Sequence, residues 1–278
     1  MTETTPLSAS SVTLAVRDLT GVASFYQRLL GLTPRPGPAG QLNLAAGGQP
    51  LLHLRAAPEA RPESGREPGL FHTAFLMPDR KALAGWLHHA AELGLTLQGA
   101  SDHGVSEAIY FSDPEGNGIE VYADRPRAAW PAPGDGQAIG MFTRRLDLPA
   151  LMATAAGRGP TDGLRIGHVH LRAHDVPAAE AFYAALGLEV TQRIRGASFL
   201  ATGGYHHHVA VNTWASGGAP RRPAGLSGLL EMELRAADQA SFDHAAEALR
   251  RAGAVLEEAP GMLRAEDPAG LGLRLSLT

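Results

Sequence analysis

A glutamate at position 120 lies within an apolar segment, and its carboxylate needs a cationic neighbour if the segment is buried. The segment GIEVYA surrounds Glu120 with residues typical of a buried strand. Burying an unpaired carboxylate costs several kcal/mol or raises its pKa until it is neutral, so a buried glutamate usually has a cation beside it. Because the chain contains no cysteine, a metal ion here must be held by histidine, carboxylate or backbone ligands.

Histidines are the second group of residues that could bind a metal ion or transfer protons. His72 and His168 each stand near the beginning of an apolar, strand-like segment, and the run YHHHV contains His206, His207 and His208. Imidazole titrates near neutral pH and is the commonest protein ligand of transition metals. Taken singly, a histidine at the start of a strand is more often structural, and exposed imidazoles at a polar strand end would also explain the run.

Composition and charge exclude several classes of function. The 278 residues suffice for two domains, and no apolar stretch approaches the about 18 residues that a membrane span needs. The N-terminus lacks the pattern of a secretory signal, which predicts a cytoplasmic protein without a membrane partner. A formal net charge of -4 argues against binding to nucleic acid, because no basic stripe is available to neutralise phosphates.

Four related segments must position these residues. The segment VTLAVRDLTGVASFYQRLLGL matches VHLRAHDVPAAEAFYAALGL, and DPEGNGIEVYA matches DPAGLGLRLSL. GLFHTAFLMPDRKAL also aligns with GLLEMELRAADQASF, and together these matches divide the chain into four units. Each unit is predicted to form a strand, a helix that begins after an aspartate, and three further strands. The predicted units and domains are an N-terminal domain 1–126 with units 9–60 and 69–125, a linker 127–165 with a short helix near Leu148 to Ala156, and a C-terminal domain 166–278 with units 166–217 and 228–278.

The four units resemble those of the vicinal oxygen chelate superfamily, which contains glyoxalases, bleomycin-resistance proteins and extradiol dioxygenases. The resemblance implies an α+β fold in which βαβββ units pair into cupped, open β-barrels that hold a divalent metal ion. One stretch is similar to the signature of type I extradiol dioxygenases, and the chain as a whole resembles two-domain catechol 2,3-dioxygenases. The residues of that stretch are His103, Ile109, Tyr110, Asp113, Pro114, Gly116 and Glu120.

The resemblance also implies three ligand positions, which can be compared between units. These positions hold Ser11 or His168, His72 or Glu231, and Glu120 or Arg274. Pairing consecutive units completes no set, whereas pairing unit 2 with unit 3 unites His72, Glu120 and His168. Two histidines and a carboxylate on one face of Fe(II) or Mn(II) leave open positions for substrate and dioxygen. We therefore predict a swapped pairing, 1 with 4 and 2 with 3, and expect an ion pair without a metal in the remaining set.

Further roles follow from the resemblance. His207 is the implied acid-base residue, and His208 is the alternative, because a shift of one residue reverses the face of a strand. His103 and Tyr110 would form hydrogen bonds to substrate oxygens. The residues predicted to contact substrate are His206, His208, Asn212 and Trp214.

These roles predict Fe(II)-dependent extradiol cleavage of a catechol-like aromatic diol by dioxygen, in the catabolism of aromatic compounds. Mn(II) uses the same ligands, and Zn or Ni could replace iron during purification. The fold alone does not fix the chemistry, so a metal-dependent glyoxalase-like isomerase or lyase and a metal-free drug-binding protein stay open as alternatives. An even-numbered homo-oligomer is expected for this architecture.

Overall fold

The computed structural model describes residues 5–160 and 162–278, and its first half contains two of the predicted units. Unit 1 consists of β1 (Leu7–Val16), α1 (Leu19–Leu30), β2 (Thr33–Pro36), β3 (Gln41–Ala46) and β4 (Gln49–Ala56). Unit 2 consists of β5 (Gly69–Leu76), α2 (Arg80–Glu92), β6 (Gly99–Asp102), β7 (Ser106–Ser112) and β8 (Gly118–Asp124). The order of one strand, one helix and three strands predicted from the repeats is confirmed in both.

The segment between the halves is more structured than predicted. It contains a single 3-10 turn (Arg127–Ala129), strand β9 (Arg144–Arg145) and helix α3 (Leu148–Met152). Helix α3 thus ends before the predicted position near Ala156. Strand β9 pairs with β6, so this segment extends a sheet instead of only linking two domains.

The second half repeats the same order of elements. Unit 3 consists of β10 (Arg165–Arg172), α4 (Val176–Ala185), β11 (Glu189–Ile194), β12 (Ala197–Ala201) and β13 (Val209–Asn212). Unit 4 consists of β14 (Gly228–Ala236), α5 (Gln239–Arg251), β15 (Val255–Ala259), β16 (Met262–Glu266) and β17 (Gly272–Leu277).

Two mixed sheets each combine units from opposite halves of the chain. The first sheet has the order β15-β16-β17-β14-β1-β4-β3-β2, and the second has the order β11-β12-β13-β10-β5-β8-β7-β6-β9. At the centre of each sheet, the first strands of two units run antiparallel, β1 beside β14 and β10 beside β5. Unit 1 therefore shares a sheet with unit 4, and unit 2 shares a sheet with unit 3. The division into consecutive domains 1–126 and 166–278 stays a prediction.

An aspartate begins the long helix of every unit. The side chains of Asp18, Asp79, Asp175 and Asp238 each accept a hydrogen bond from a backbone N–H in the first turn of the helix that follows. Such a cap satisfies a donor that has no partner within the helix. The recurring aspartate thus fixes the point at which each first strand turns into its helix.

Consecutive units are joined by a tyrosine and an aspartate, although their sheets are separate. The Tyr26 hydroxyl donates to Asp113 at 3.3 Å, and the Tyr183 hydroxyl donates to Asp267 at 3.0 Å. All four residues are buried, and each aspartate also accepts backbone N–H groups of its own turn. The repeated Phe-Tyr and Asp-Pro motifs therefore connect unit 1 to unit 2 and unit 3 to unit 4.

The main core is a continuous apolar cluster that draws on all four units, so the two sheets and their helices pack as one body. Trp86 is its largest fully buried side chain, and its indole N–H donates to the carbonyl of Leu29 at 2.9 Å. Among the described residues, no helix is long and apolar enough to cross a membrane.

Candidate metal centre

Three neighbouring strands of the second sheet bring His72, Glu120 and His168 together. His72 lies on β5, Glu120 on β8 and His168 on β10, and β5 is the strand between the other two. All three side chains are buried, with residue exposures of 6%, 3% and 1%. The cluster exists because the first strands of units 2 and 3 are neighbours in one sheet.

The three potential ligand atoms have the spacing of a coordination site. Glu120 Oε2 lies 2.9 Å from His72 Nε2 and 3.2 Å from His168 Nε2, and the two nitrogens are 3.3 Å apart. Ligands about 2.1 Å from one ion, at octahedral or tetrahedral angles, are separated by about 3.0 to 3.4 Å. The donor set and its spacing therefore fit a divalent transition metal without rearrangement.

Electrostatics favour the protonation states that bind a metal. Burial acts to raise the pKa of Glu120, but the adjacent His168 and His72 hold that pKa well below its usual range. Burial lowers the pKa of His168 to about 4, against the opposing effect of the Glu120 carboxylate. Near neutral pH the site therefore presents an ionised carboxylate and an unprotonated His168.

His103 and Tyr110 form a hydrogen-bonded pair beside this cluster. His103 Nδ1 lies 3.0 Å from the carbonyl oxygen of Phe142, so Nδ1 carries the proton and donates there. His103 Nε2 lies 2.7 Å from the Tyr110 hydroxyl and accepts a hydrogen bond from it in this tautomer. Burial and the Glu120 charge raise the pKa of Tyr110 well above its usual value, so its hydroxyl stays protonated.

A cavity of about 390 Å³ connects the candidate ligands with this pair. One wall is apolar, and part of it comes from the segment between the halves of the chain. The apolar and aromatic residues of the wall are Phe71, Val105, Met141, Phe142, Ile194, Phe199 and Trp214. Neither arginine nor lysine is among the described residues that line the cavity, and Glu120 is the only carboxylate in the lining.

The structure places only one of the three consecutive histidines in this cavity. His207 lines it, and its ring centroid lies 4.0 Å from that of His168. His206 is fully buried behind His207 and is hydrogen-bonded to Asp124, while His208 faces a different cavity beside Arg165. The prediction that His206 and His208 contact substrate in this cavity therefore differs from their observed positions.

The three histidines were expected to lie on a strand, but the structure places them before it. Strand β13 begins only at Val209, after a turn in which Gly203 and Gly204 adopt positive φ values of 59° and 64°. Strand alternation therefore does not decide which histidine faces the cavity. Specific hydrogen bonds hold the rings instead, and His207 is nevertheless the histidine that faces the cavity.

Trp214 and Asn212, which were also predicted to contact substrate, lie at different depths relative to the cavity. Trp214 lines the mouth of the cavity and is 51% exposed. Asn212 is buried and does not line the cavity; its Nδ2 lies 2.9 Å from His170 Nε2. Asn212 thus supports a neighbouring side chain instead of reaching the cavity.

His170 is a cavity residue that sequence reasoning missed. It lies on β10 two residues after His168 and packs against Phe71 and His72. Burial and the neighbouring histidines lower the pKa of His170 well below its usual value, so it is neutral at physiological pH. Strand alternation places residues 168 and 170 on one face, which is the signal that could have identified it.

The equivalent positions in the first sheet hold an ion pair, as predicted. Arg274 Nε lies 3.0 Å from Glu231 Oε1, and Arg264 Nε lies 2.8 Å from Glu231 Oε2. Ser11 donates instead to Glu233 at 2.5 Å. With two guanidinium groups around its carboxylate, this set has no free anionic ligand for a metal.

Fold and site together define a protein of paired βαβββ units with one buried His-His-Glu cluster. Residues 8–121 match the family model of the Glyoxalase/Bleomycin resistance protein/Dioxygenase superfamily. The chain is 38% identical over 265 residues to the catechol-2,3-dioxygenase of Bacillus subtilis (strain 168), and the match covers 92% of each chain. The chain belongs to the Glyoxalase/Bleomycin resistance protein/Dioxygenase superfamily.

Solved structures show the same fold at low sequence identity. A protein from Bacillus subtilis subsp. subtilis str. 168 matches with a TM-score of 0.65 and 12% identity, over 99% of this chain and 86% of the other. Glyoxalase I from Zea mays matches with a TM-score of 0.58 and 14% identity, over 97% of this chain and 92% of that chain. These likenesses concern the fold alone.

Proposed function

We propose that the protein is an Fe(II)-dependent extradiol dioxygenase that cleaves a catechol-like aromatic diol with dioxygen. The observation that carries the proposal is the convergence of His72, Glu120 and His168 in one cavity with His207 and the His103–Tyr110 pair. The similarity to a catechol-2,3-dioxygenase over most of the chain supports it. His72, Glu120 and His168 would hold the iron, which supplies positive charge that acidifies a catechol hydroxyl and an open position for dioxygen.

His207 would accept the proton of the second catechol hydroxyl. Its ring lies against the ring of His168, which puts it close to any diol held at the ligand cluster. Burial and the surrounding histidines lower the pKa of His207 well below its usual value, so its imidazole is neutral before substrate binds. A neutral imidazole has the free lone pair that a general base requires.

Tyr110 and His103 would act on an oxygen of the substrate. In the described arrangement the Tyr110 hydroxyl donates to His103 Nε2. If His103 Nε2 gains a proton, it becomes the donor in that bond, and the Tyr110 hydroxyl can then donate to a substrate oxygen. The pair can therefore stabilise negative charge that develops on this oxygen.

The aromatic wall would orient the ring and exclude water. Phe71 lies at the mouth with its ring centroid 5.3 Å from that of Trp214, and Phe199 lies deeper, against His207. The cavity volume suits one substituted aromatic ring. Because Glu120 belongs to the candidate ligand set, the described lining residues include no further carboxylate to act as the base of a glyoxalase-like isomerase, which favours diol cleavage over isomerisation.

Oxygen uptake with defined diols tests the proposal. The protein would be loaded with Fe(II) without oxygen, separated from free iron, and mixed with aerated catechol, alkylcatechols and halocatechols. We expect stoichiometric oxygen consumption and a ring-opened semialdehyde, identified by the NMR signal of its aldehyde proton. Iron-loaded protein that consumes no oxygen with any of these diols would refute the assignment, and a ring-opened dicarboxylic acid would show cleavage between the hydroxyls instead.

A further inference from the structure

A carboxylate and two histidines form a continuous chain of hydrogen bonds that ends at the candidate metal centre. Asp124 Oδ1 lies 2.9 Å from His206 Nε2, and His206 Nδ1 lies 2.8 Å from His207 Nδ1. His206 is fully buried, whereas His207 opens onto the cavity. Asp124 is the last residue of β8, the strand that also carries Glu120.

These contacts determine which ring nitrogen carries each proton. A carboxylate can only accept, so His206 Nε2 carries a proton and donates it to Asp124. With a single ring proton, placed on Nε2, His206 has a bare Nδ1, which accepts a hydrogen bond from the N–H at His207 Nδ1. His207 Nε2 is consequently left without a proton.

We propose that Asp124 and His206 are positioning residues that hold His207 in the tautomer able to take a proton from the substrate at Nε2. The inference rests on the proposed role of His207 as the acid-base residue. A carboxylate that orients a catalytic histidine through a direct hydrogen bond is a common device. Here a second imidazole is inserted between the carboxylate and the acid-base ring.

The inserted imidazole of His206 can take up a proton from His207 during the reaction. When His207 Nε2 takes a proton from the diol, the proton on His207 Nδ1 can pass to His206 Nδ1. The positive charge then lies on His206, where it is paired with the Asp124 carboxylate. His207 returns to a neutral form, now with its proton on Nε2, from which it can protonate an oxygen of the product.

Asp124 also accepts a hydrogen bond through its second carboxylate oxygen, which does not contact His206. The Tyr205 hydroxyl donates to Asp124 Oδ2 at 2.9 Å and lies 2.8 Å from the Tyr122 hydroxyl. Removing the Tyr205 hydroxyl would leave the contact between Asp124 and His206 in place. Tyr205→Phe is therefore the matched control for a change at Asp124.

Ring-nitrogen NMR tests the tautomer without any turnover. Histidine-labelled protein loaded with zinc, which is diamagnetic, would be compared with Asp124→Asn, and the His207 signals would be assigned from their loss in His207→Gln. We expect the proton of His207 on Nδ1 in the wild type and in Tyr205→Phe, and partly or wholly on Nε2 in Asp124→Asn. A wild-type His207 with its proton on Nε2 would overturn the inference.

Turnover then tests whether the tautomer matters for the reaction. With iron bound, Asp124→Asn should lower kcat by about 10-fold to 100-fold with KM nearly unchanged, whereas Tyr205→Phe should stay within about threefold of the wild type. His206→Asn, which keeps an acceptor for His207 Nδ1, should retain more activity than His206→Leu, which has a similar volume. Equal loss in both His206 variants, or an unchanged kcat in Asp124→Asn, would contradict the positioning role.

The two proposals fail in different ways. If the wild-type protein cleaves no diol but His207 carries its proton on Nδ1, the proposed function is wrong and the hydrogen-bond chain is correct. If the protein cleaves catechols and Asp124→Asn changes neither the tautomer nor kcat, the proposed function stands and the positioning role is wrong.

Discussion

The Nε2 atoms of His72 and His168 lie 3.3 Å apart, although the two residues are 96 positions apart in the sequence. They meet because β5 and β10 are antiparallel neighbours, with His72 opposite His170 in the register. Each half of the chain contains only part of the cluster, since His72 and Glu120 come from unit 2 and His168 comes from unit 3. Because the site needs residues from both halves of the chain, metal binding reports directly on how the units pair.

Metal content should depend on all three residues. After reconstitution with Fe(II) without oxygen, we expect about one metal ion per chain in the wild type and strongly reduced content in His72→Ala, Glu120→Ala and His168→Ala. Elemental analysis of the desalted proteins measures this directly. Glu231→Ala is the matched control, because Glu231 has the repeat position of His72 and is paired with arginines. Retention of metal by His168→Ala would place the third ligand elsewhere.

Gly118 should be required for metal binding through the backbone. A Cβ atom at Gly118 would lie 2.0 Å from the carbonyl oxygen of Phe71, and one at Gly272 would lie 2.2 Å from that of Leu230. Either alanine substitution should therefore disturb the pairing of two strands and lower stability. Only Gly118 begins the strand that carries Glu120, so Gly118→Ala should also lower iron occupancy, whereas Gly272→Ala should not. Equal iron occupancy in the two variants would contradict this expectation.

His207 should affect turnover much more than metal binding. His207→Gln removes the acid-base group and leaves the three candidate ligands in place, so kcat should fall by about 100-fold to 10,000-fold. The iron content should stay at the wild-type value. Steady-state oxygen uptake and elemental analysis on the same samples distinguish the two effects. A variant that loses iron in proportion to activity would show that His207 supports the metal site instead.

Much of this arrangement could be predicted from the sequence, because it repeats or because it breaks a repeat. The four aspartate-capped helices follow from the repeats, and Glu120 stands out since its counterpart is Arg274. The positions of the candidate ligands within the units also led to the prediction that units 2 and 3 share one sheet.

The contacts missed from the sequence depend on segments outside the repeats. The side-chain directions of residues 206–208 are set by the turn at Gly203 and Gly204 and by the distant Asp124, which strand alternation does not describe. Met141 and Phe142 reach the cavity because β9 extends the second sheet, and a two-residue strand has no recognisable pattern. Contacts of this kind involve segments outside the repeats and depend on the folded structure, so the sequence pattern does not predict them.

His208 should make the metal-free protein sensitive to acid. Burial, together with the neighbouring histidines, lowers the pKa of His208 to about 3, from 6.5 for an ordinary histidine. Between these values the unfolded chain binds more protons than the folded protein, so the free energy of unfolding falls as the pH falls below about 6.5. For His208 alone the loss by about pH 5 is about 2 kcal/mol.

Urea unfolding of metal-free protein at about pH 7.5 and about pH 5 measures this effect. His208→Asn keeps an acceptor for the backbone N–H of Thr202, which lies 3.3 Å from His208 Nδ1, and should lose about 2 kcal/mol less stability than the wild type over this range. The control His244→Asn removes a histidine with an exposed side chain and should follow the wild-type curve. Identical pH dependence in His208→Asn and the wild type would contradict the expected burial effect.

The cavity should discriminate against diols that carry a negative charge. It has no lysine or arginine among its described lining residues, so a carboxylate on the ring would be desolvated without a partner. We expect kcat/KM for catechol to exceed that for a dihydroxybenzoate by at least about 100-fold, which corresponds to about 2.7 kcal/mol.

Ile194 is 45% exposed and lines the cavity, so Ile194→Lys should narrow this difference in kcat/KM. Leu256→Lys adds the same charge at an exposed position that does not line this cavity and should leave the ratio unchanged. If both lysine variants change the ratio equally, overall charge steers the substrate; if the wild type cleaves both diols equally well, the cavity does not select against charge.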